Sequence, residues 1–257
     1  MDGDFWGLIT WGPPGSGKSR KEIKDLAQAY GEWDKVRDPE TGAYVSYVPL
    51  DGMNWDAWKE WMKHDLGDFL SMIQRVQDKG RQVVMGVLDD AGRVASNQKW
   101  QSEFGKAIND YANVQRRDFA SLHFTTPNPQ WILGHIRGMP GGHTARVVKL
   151  SGNKYQRHMR CAKVYEGWMS PDFRKSGVSL LWEDYFDVWL PPRVEKEWEE
   201  VNRTYSKLAL EEAKKVYAAM REKGQDKKAE QFKAEQEAAM GMKIDPDDYA
   251  PTPDTSL

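Results

Sequence analysis

The amino-acid sequence predicts an α/β protein: a parallel sheet covered by helices on both faces, extended by a β-hairpin appendage and a long charged helix. Three observations carry this. Short apolar, β-branched runs alternate with helical periods as far as Leu150, the pattern of a parallel sheet with helical crossovers. A glycine-rich loop, "GPPGSGKS" (Gly12–Ser19), joins the first such run to the first helical pattern. Beyond the turn signal "SGNK" the pattern changes to a basic β-like run and then to a long charged helix. These changes divide the chain into a core over 1–150, a basic β-appendage continuing it over 151–191, a helix over 192–240 and a tail of disordered composition over 241–257.

The elements follow in order. "FWGLITW" (5–11) is a buried strand feeding the glycine loop, and "KSRKEIKDLAQAYGEW" is a helix. After the turn-rich "DKVRDPETGAYV", the run "YVSYVPL" reads as a second strand. Trp55, Trp58, Met62, Leu66, Leu70, Ile73 and Val76 recur at spacings of three and four, which predicts one helix from Asn54 to about Lys79. "QVVMGVLDD" is a third strand ending in two carboxylates. A polar helix follows over about 97–115, then a fourth strand, "FASLHFTTP", which ends in hydroxyls. "PQWILGHIR" is a short helix, and "TARVVKL" the fifth strand.

Composition sets outer limits. A net charge of -2 announces neither a nucleic-acid nor a membrane partner, and no apolar stretch reaches the roughly 20 residues of a membrane span. The single cysteine, Cys161, excludes an internal disulfide framework. The acidic start "MDGDFWG" lacks the features of a signal peptide, so a cytoplasmic protein is expected.

The glycine loop satisfies G-x-x-x-x-G-K-[ST]. Gly12, Gly15 and Gly17 permit the backbone angles that turn successive N–H groups inward around an anion. Pro13, Pro14, Ser16 and Arg20 complete the candidate nucleotide-binding stretch. The following helix aims its positive end at the same point. Lys18 would bridge the β- and γ-phosphates of ATP, and Ser19 would ligate Mg²⁺. At the end of the third strand, Asp89 would hold Mg²⁺ and Asp90 could orient and deprotonate an attacking water. Thr125, Thr126 and Asn128 stand where a γ-phosphate sensor would sit, and the sequence leaves open which of them it is.

The loop, the acidic pair and the later polar-ended strand together resemble the ASCE division of P-loop ATPases, with a RecA/AAA+-like core. In that division the sensor strand lies between the loop strand and the acidic strand. Within it, "LDDAG" followed by "TTPNP" looks like the AAA+ initiator and helicase-loader ATPases of the DnaA/DnaC type, including compact ones of archaeal viruses and plasmids. That likeness covers about residues 5–150. It implies Mg²⁺-dependent ATP hydrolysis, a homo-oligomer, DNA, and a replicative helicase or other replication protein as partner. No lid domain with a second sensor arginine is evident, so translocase or packaging ATPases of the HerA/FtsK and Zot type compete, since they carry β-extensions after the fifth strand. A small-molecule or nucleoside kinase is a third reading, disfavoured by the doubled acid.

From Phe119 to Tyr165 there is no Asp or Glu, but there are seven cations: Arg137, Arg146, Lys149, Lys154, Arg157, Arg160 and Lys163. Lys154, Arg157 and Arg160 are candidate DNA contacts. Arg137, or else Arg146, is placed as an arginine finger for a neighbouring subunit would be. A solvated edge is the bland alternative. Trp55 and Trp58 belong to a core face, which leaves Trp61 as the exposed candidate for base stacking. On the last helix Val194, Trp198, Val201, Tyr205 and Leu208 form a seam that packs on the core or on another chain.

Overall fold

The computed structural model describes residues 5–91, 117–129, 142–150, 158–169 and 176–222. The expected helices over 97–115 and 129–137 and the tail over 241–257 lie largely or wholly outside them. So do Arg137, Lys154 and Arg157. The chain divides into two compact units, Met1–Glu195 and Lys196–Leu257.

The first unit is built on a seven-stranded sheet. Its strands are β1 (Trp6–Trp11), β4 (Met62–Lys63), β5 (Val83–Leu88), β6 (Phe119–Thr126), β7 (Gly142–Lys149), β8 (Met159–Met169) and β9 (Ser176–Asp187), in the order β4-β5-β6-β1-β7-β8-β9. β4 to β7 run parallel, and β8 and β9 continue the sheet antiparallel. The acid-free run therefore contributes β6, β7 and the first part of β8 to this sheet, and the strands of the appendage continue it. β6 lies between β1 and β5, the insertion that the ASCE resemblance implies. The fold is that of a P-loop NTPase core.

Two elements correct the sequence reading. Tyr44–Tyr47 (β3) is not a core strand: it pairs with Asp34–Arg37 (β2) in an exposed antiparallel hairpin outside the main sheet. A core strand must be apolar on both faces, and "DKVR" and "YVSY" are not. The intervening turn is closed by Asp38, whose carboxylate accepts the Glu40 and Thr41 N–H groups. The long helix expected from Asn54 is two, α2 (Ala57–Trp61) and α3 (Leu66–Lys79), with β4 between them. Asp65 restarts the helix by accepting the N–H groups of Gly67 and Asp68. Phe69, Met72, Ile73 and Val76 then supply the buried face of α3. Trp61 is buried and stacks on Tyr30 at 5.2 Å, so it offers no surface for a base.

Helix α1 (Lys18–Ala29) buries Ile23, Leu26 and Ala27, and at its end the Tyr30 hydroxyl donates to the Met85 carbonyl of β5. Glu22 lies one turn before Leu26 on the same face and is fully buried. It accepts a hydrogen bond from the Thr10 hydroxyl at 2.6 Å and meets His123 Nδ1 at 2.7 Å, which ties α1 to β1 and β6. Burial pushes the Glu22 carboxyl up, but His123, Lys21 and Thr10 outweigh it and hold the group below its usual range. This stabilisation is in place above the unfolded glutamate value of about 4.3 and is lost as pH falls through the lower folded value. Glu22→Ala leaves Thr10 and His123 buried without their partner. We expect it to cost about 3–5 kcal/mol, read from denaturant unfolding at neutral pH.

The second unit contains most of helix α4 (Pro192–Glu222), in which Leu208 and Val216 are exposed. Among the described residues no helix is long and apolar enough to cross a membrane.

Candidate functional site

The glycine loop leaves the end of β1 with Gly12 at φ 153°, Gly15 at 72° and Gly17 at 100°. A β-carbon on Gly12 would stand 2.5 Å from the Val147 carbonyl, so the loop passes β7 where only glycine fits. Gly17 caps α1 in the left-handed region, and no side chain caps that helix end. The Ser16 N–H closes a turn onto the Pro13 carbonyl at 3.1 Å. The Ser16 hydroxyl is fully buried and makes no hydrogen bond. Lys18 Nζ reaches back to the carbonyls of Gly12 at 2.8 Å and Pro13 at 3.2 Å. Burial pushes its ammonium down, and the charges of Asp89 and Asp90 oppose that.

The acidic pair meets the loop. Ser19 Oγ donates to Asp89 Oδ1 at 2.9 Å, and Thr125 Oγ1 donates to the same oxygen at 2.5 Å. The other oxygen, Oδ2, lies 3.1 Å from His64 Nδ1, at the end of β4. Burial raises the Asp89 carboxyl, but the His64, Thr125 and Ser19 contacts prevail and hold it below the ordinary range. Asp90 follows at φ 51°, a left-handed conformation that aspartate tolerates better than most residues. Its N–H donates to Thr125 Oγ1 at 2.8 Å, which pins that turn to β6.

These placements sort the candidate residues. Lys18, Ser19, Asp89 and Asp90 converge at one end of the parallel strands. The Thr125 hydroxyl is engaged by Asp89 and Asp90. The Thr126 hydroxyl donates to the Asn128 carbonyl and accepts the Asn128 N–H, closing the turn that carries Asn128. Arg20 is held beside the loop, where its guanidinium donates to the Val188 carbonyl at 2.7 Å and pairs with Glu195. Arg146 lies over the Trp11 ring at 5.2 Å. Arg160, expected on a DNA-facing hairpin, is buried, and its Nε donates to the Ser16 carbonyl at 2.9 Å. That position removes it from any face presented to DNA.

Three contributors were not read from the sequence. His64 belongs to no motif in the sequence. Glu22 was legible in principle, since it shares the apolar face of α1. The bond from Arg160 to the loop crosses 144 residues, a separation no local pattern encodes.

The residues present fit a nucleoside triphosphate and a divalent cation. The buried, unbonded Ser16 hydroxyl and the side-chain-free cradle at Gly12 leave the loop built for an anion. Ser19 and Asp89 form a hydroxyl–carboxylate pair of the kind that holds Mg²⁺.

No protein-family profile matches the chain. It is 22% identical over 225 residues to "Uncharacterized protein B-251" of Sulfolobus spindle-shape virus 1, covering 82% of this chain and 79% of that protein. The N-terminal domain of zonular occludens toxin from Neisseria meningitidis aligns with 70% of this chain and 95% of its own length, at 14% identity and a TM-score of 0.37. The fold assignment rests on the strand order and the loop themselves.

Proposed function

We propose that the protein is a Mg²⁺-dependent ATPase that couples ATP to DNA replication, as an oligomeric initiator or helicase loader of the cytoplasm. The observation that carries the ATPase reading is the 2.9 Å contact of Ser19 with Asp89, which brings the end of the phosphate loop onto the acidic strand end. Lys18 is released from the Gly12 and Pro13 carbonyls to neutralise the β- and γ-phosphates. Ser19 and Asp89 would hold Mg²⁺, which would supply Lewis-acid stabilisation of the phosphoryl oxygens. Asp90 accepts the proton of the attacking water, and its pinned turn fixes the direction from which it does so. Asn128, carried on the turn that the Thr126 hydroxyl closes at the end of β6, is the proposed γ-phosphate sensor. Arg137 is the proposed finger for a neighbouring subunit, and Lys154 with Arg157 the proposed DNA contact.

A second reading, a DNA-translocating or packaging motor, is favoured by one observation: the sheet continues past β7 into the antiparallel pair β8–β9. The two readings separate on hydrolysis by the full chain with and without DNA. A loader is expected to respond modestly, and a motor to accelerate strongly on long duplex. Asp90→Asn is expected to lower turnover about a hundredfold while retaining ATP binding. Normal turnover in that variant would remove Asp90 from the proposed chemistry.

A further inference from the structure

Helix α1 has no acidic residue in its first turn and no side-chain cap, and the carboxylate of Asp89 meets its positive end at Ser19. Two arginines nonetheless gather there. Arg20 lies in the first turn with its charge paired to Glu195, and Arg160 enters from β8 with only 7% of its surface exposed. The Arg160 stem packs against the helix cap, with Cγ 3.5 Å from where a β-carbon on Gly17 would stand. On the rim of the loop, the Lys149 ammonium lies 3.9 Å from the corresponding position at Gly15. Burying a guanidinium beside a positive helix end is unfavourable in isolation. It becomes favourable when a multiply charged anion occupies the loop.

The Arg160 hydrogen bond also has a direction. The Ser16–Gly17 peptide is planar and trans, so its carbonyl and its N–H point opposite ways. By holding the Ser16 carbonyl at 2.9 Å, Arg160 fixes where the Gly17 N–H points. Arg160 Nη1 is itself fixed by the Met159 carbonyl at 2.8 Å, so the brace is anchored in β8.

We propose that Arg160 is a positioning residue of the phosphate loop: a buried cation, supplied by the C-terminal hairpin, that orients the Gly17 N–H and raises affinity for the polyphosphate of the nucleotide. The hairpin is then a working part of the binding site, because the loop cannot hold its anion-binding form without β8. This rests on the reading of the loop as a nucleotide site.

The test is calorimetric titration of the full chain with Mg·ADP and with inorganic tripolyphosphate, which removes any contribution of the base. Wild type, Arg160→Gln and Arg160→Lys are compared, with the melting temperature of each ligand-free protein. Arg160→Gln is expected to weaken both ligands about tenfold or more, with a ligand-free melting temperature equal to or above that of wild type. Arg160→Lys keeps the charge without the fork and is expected to recover part of the affinity. It carries the test alone if the glutamine variant does not fold. Unchanged affinity in a folded variant would overturn the proposal, as would a lower melting temperature with normal tripolyphosphate binding. A wild-type chain that binds neither ligand would instead overturn the nucleotide reading beneath it.

Discussion

Lys18→Ala is expected to lower ATP hydrolysis by at least about a hundredfold and to weaken ATP binding with it. Lys18 is the one cation of the loop motif whose ammonium already lies inside it, on the Gly12 and Pro13 carbonyls. A triphosphate offers that ammonium charged oxygens in place of neutral ones. Alanine leaves the phosphates with N–H groups alone. Half-buried Lys18 contributes no apolar core, so the variant should fold, with a circular dichroism spectrum and melting temperature close to wild type. Hydrolysis that persists in Lys18→Ala would place the activity elsewhere in the chain or in a contaminant.

Gly12→Ala is expected to act on folding as well as on binding. The added methyl would stand 2.5 Å from the backbone carbonyl of Val147, at a φ of 153° that residues with a β-carbon rarely adopt. Neither β1 nor β7 can retreat without breaking the parallel ladder that pairs Trp11 with Arg146. The strain of a disfavoured backbone and a close contact is of order 3 kcal/mol or more. We expect the melting temperature to fall by several degrees and nucleotide binding to be lost together. Gly15→Ala is a useful contrast, since a β-carbon there meets only the mobile end of Lys149 at 3.9 Å. Although its φ of 72° is also costly, its effect on stability should be smaller. Equal losses in the two variants would show that backbone angle, not the Val147 contact, sets the cost.

How far the sequence reaches can be seen at particular residues. The loop and the acidic strand were legible because each is a local pattern with a physical reason: glycines where a backbone must curl, and carboxylates at the end of an apolar run. β1, β5 and β6 were legible for the same reason, being largely buried runs, and β7 was legible from the alternating "TARVVKL", in which Ala145 and Val147 are the buried residues. Tyr44–Tyr47 was misread because β-propensity does not say which sheet a strand joins, and a solvated hairpin uses the same residue types. The helix from Asn54 was misread because Asp65 interrupts a face whose spacing continues across the break. Trp61 looked exposed on a continuous helix, and the break turns it onto Tyr30.

The site shows the same division. Ser19 and Asp89 could be named from their motifs, but the groups that aim them could not. His64 reaches Asp89 from 25 residues away, and Thr125 from 36. Thr125 was weighed as a phosphate sensor because a hydroxyl at a strand end suits that role. The fold gives the same hydroxyl to Asp89 and the Asp90 N–H. Arg160 was read as an outward cation from its basic neighbours. The antiparallel pairing of β8 with β7, opposite Lys149, delivers it under the phosphate loop.

In the proposed function the Gly12–Ser19 loop and Asp89 form one site for a nucleoside triphosphate and Mg²⁺. Calorimetric titration of the wild-type chain with a slowly hydrolysed ATP analogue, with Mg²⁺ and with EDTA in its place, tests it most directly. Saturable binding with one nucleotide per chain is expected, at least about tenfold tighter with Mg²⁺ because Ser19 and Asp89 contribute only through the ion. Absence of binding at millimolar analogue, or binding indifferent to Mg²⁺, would contradict it.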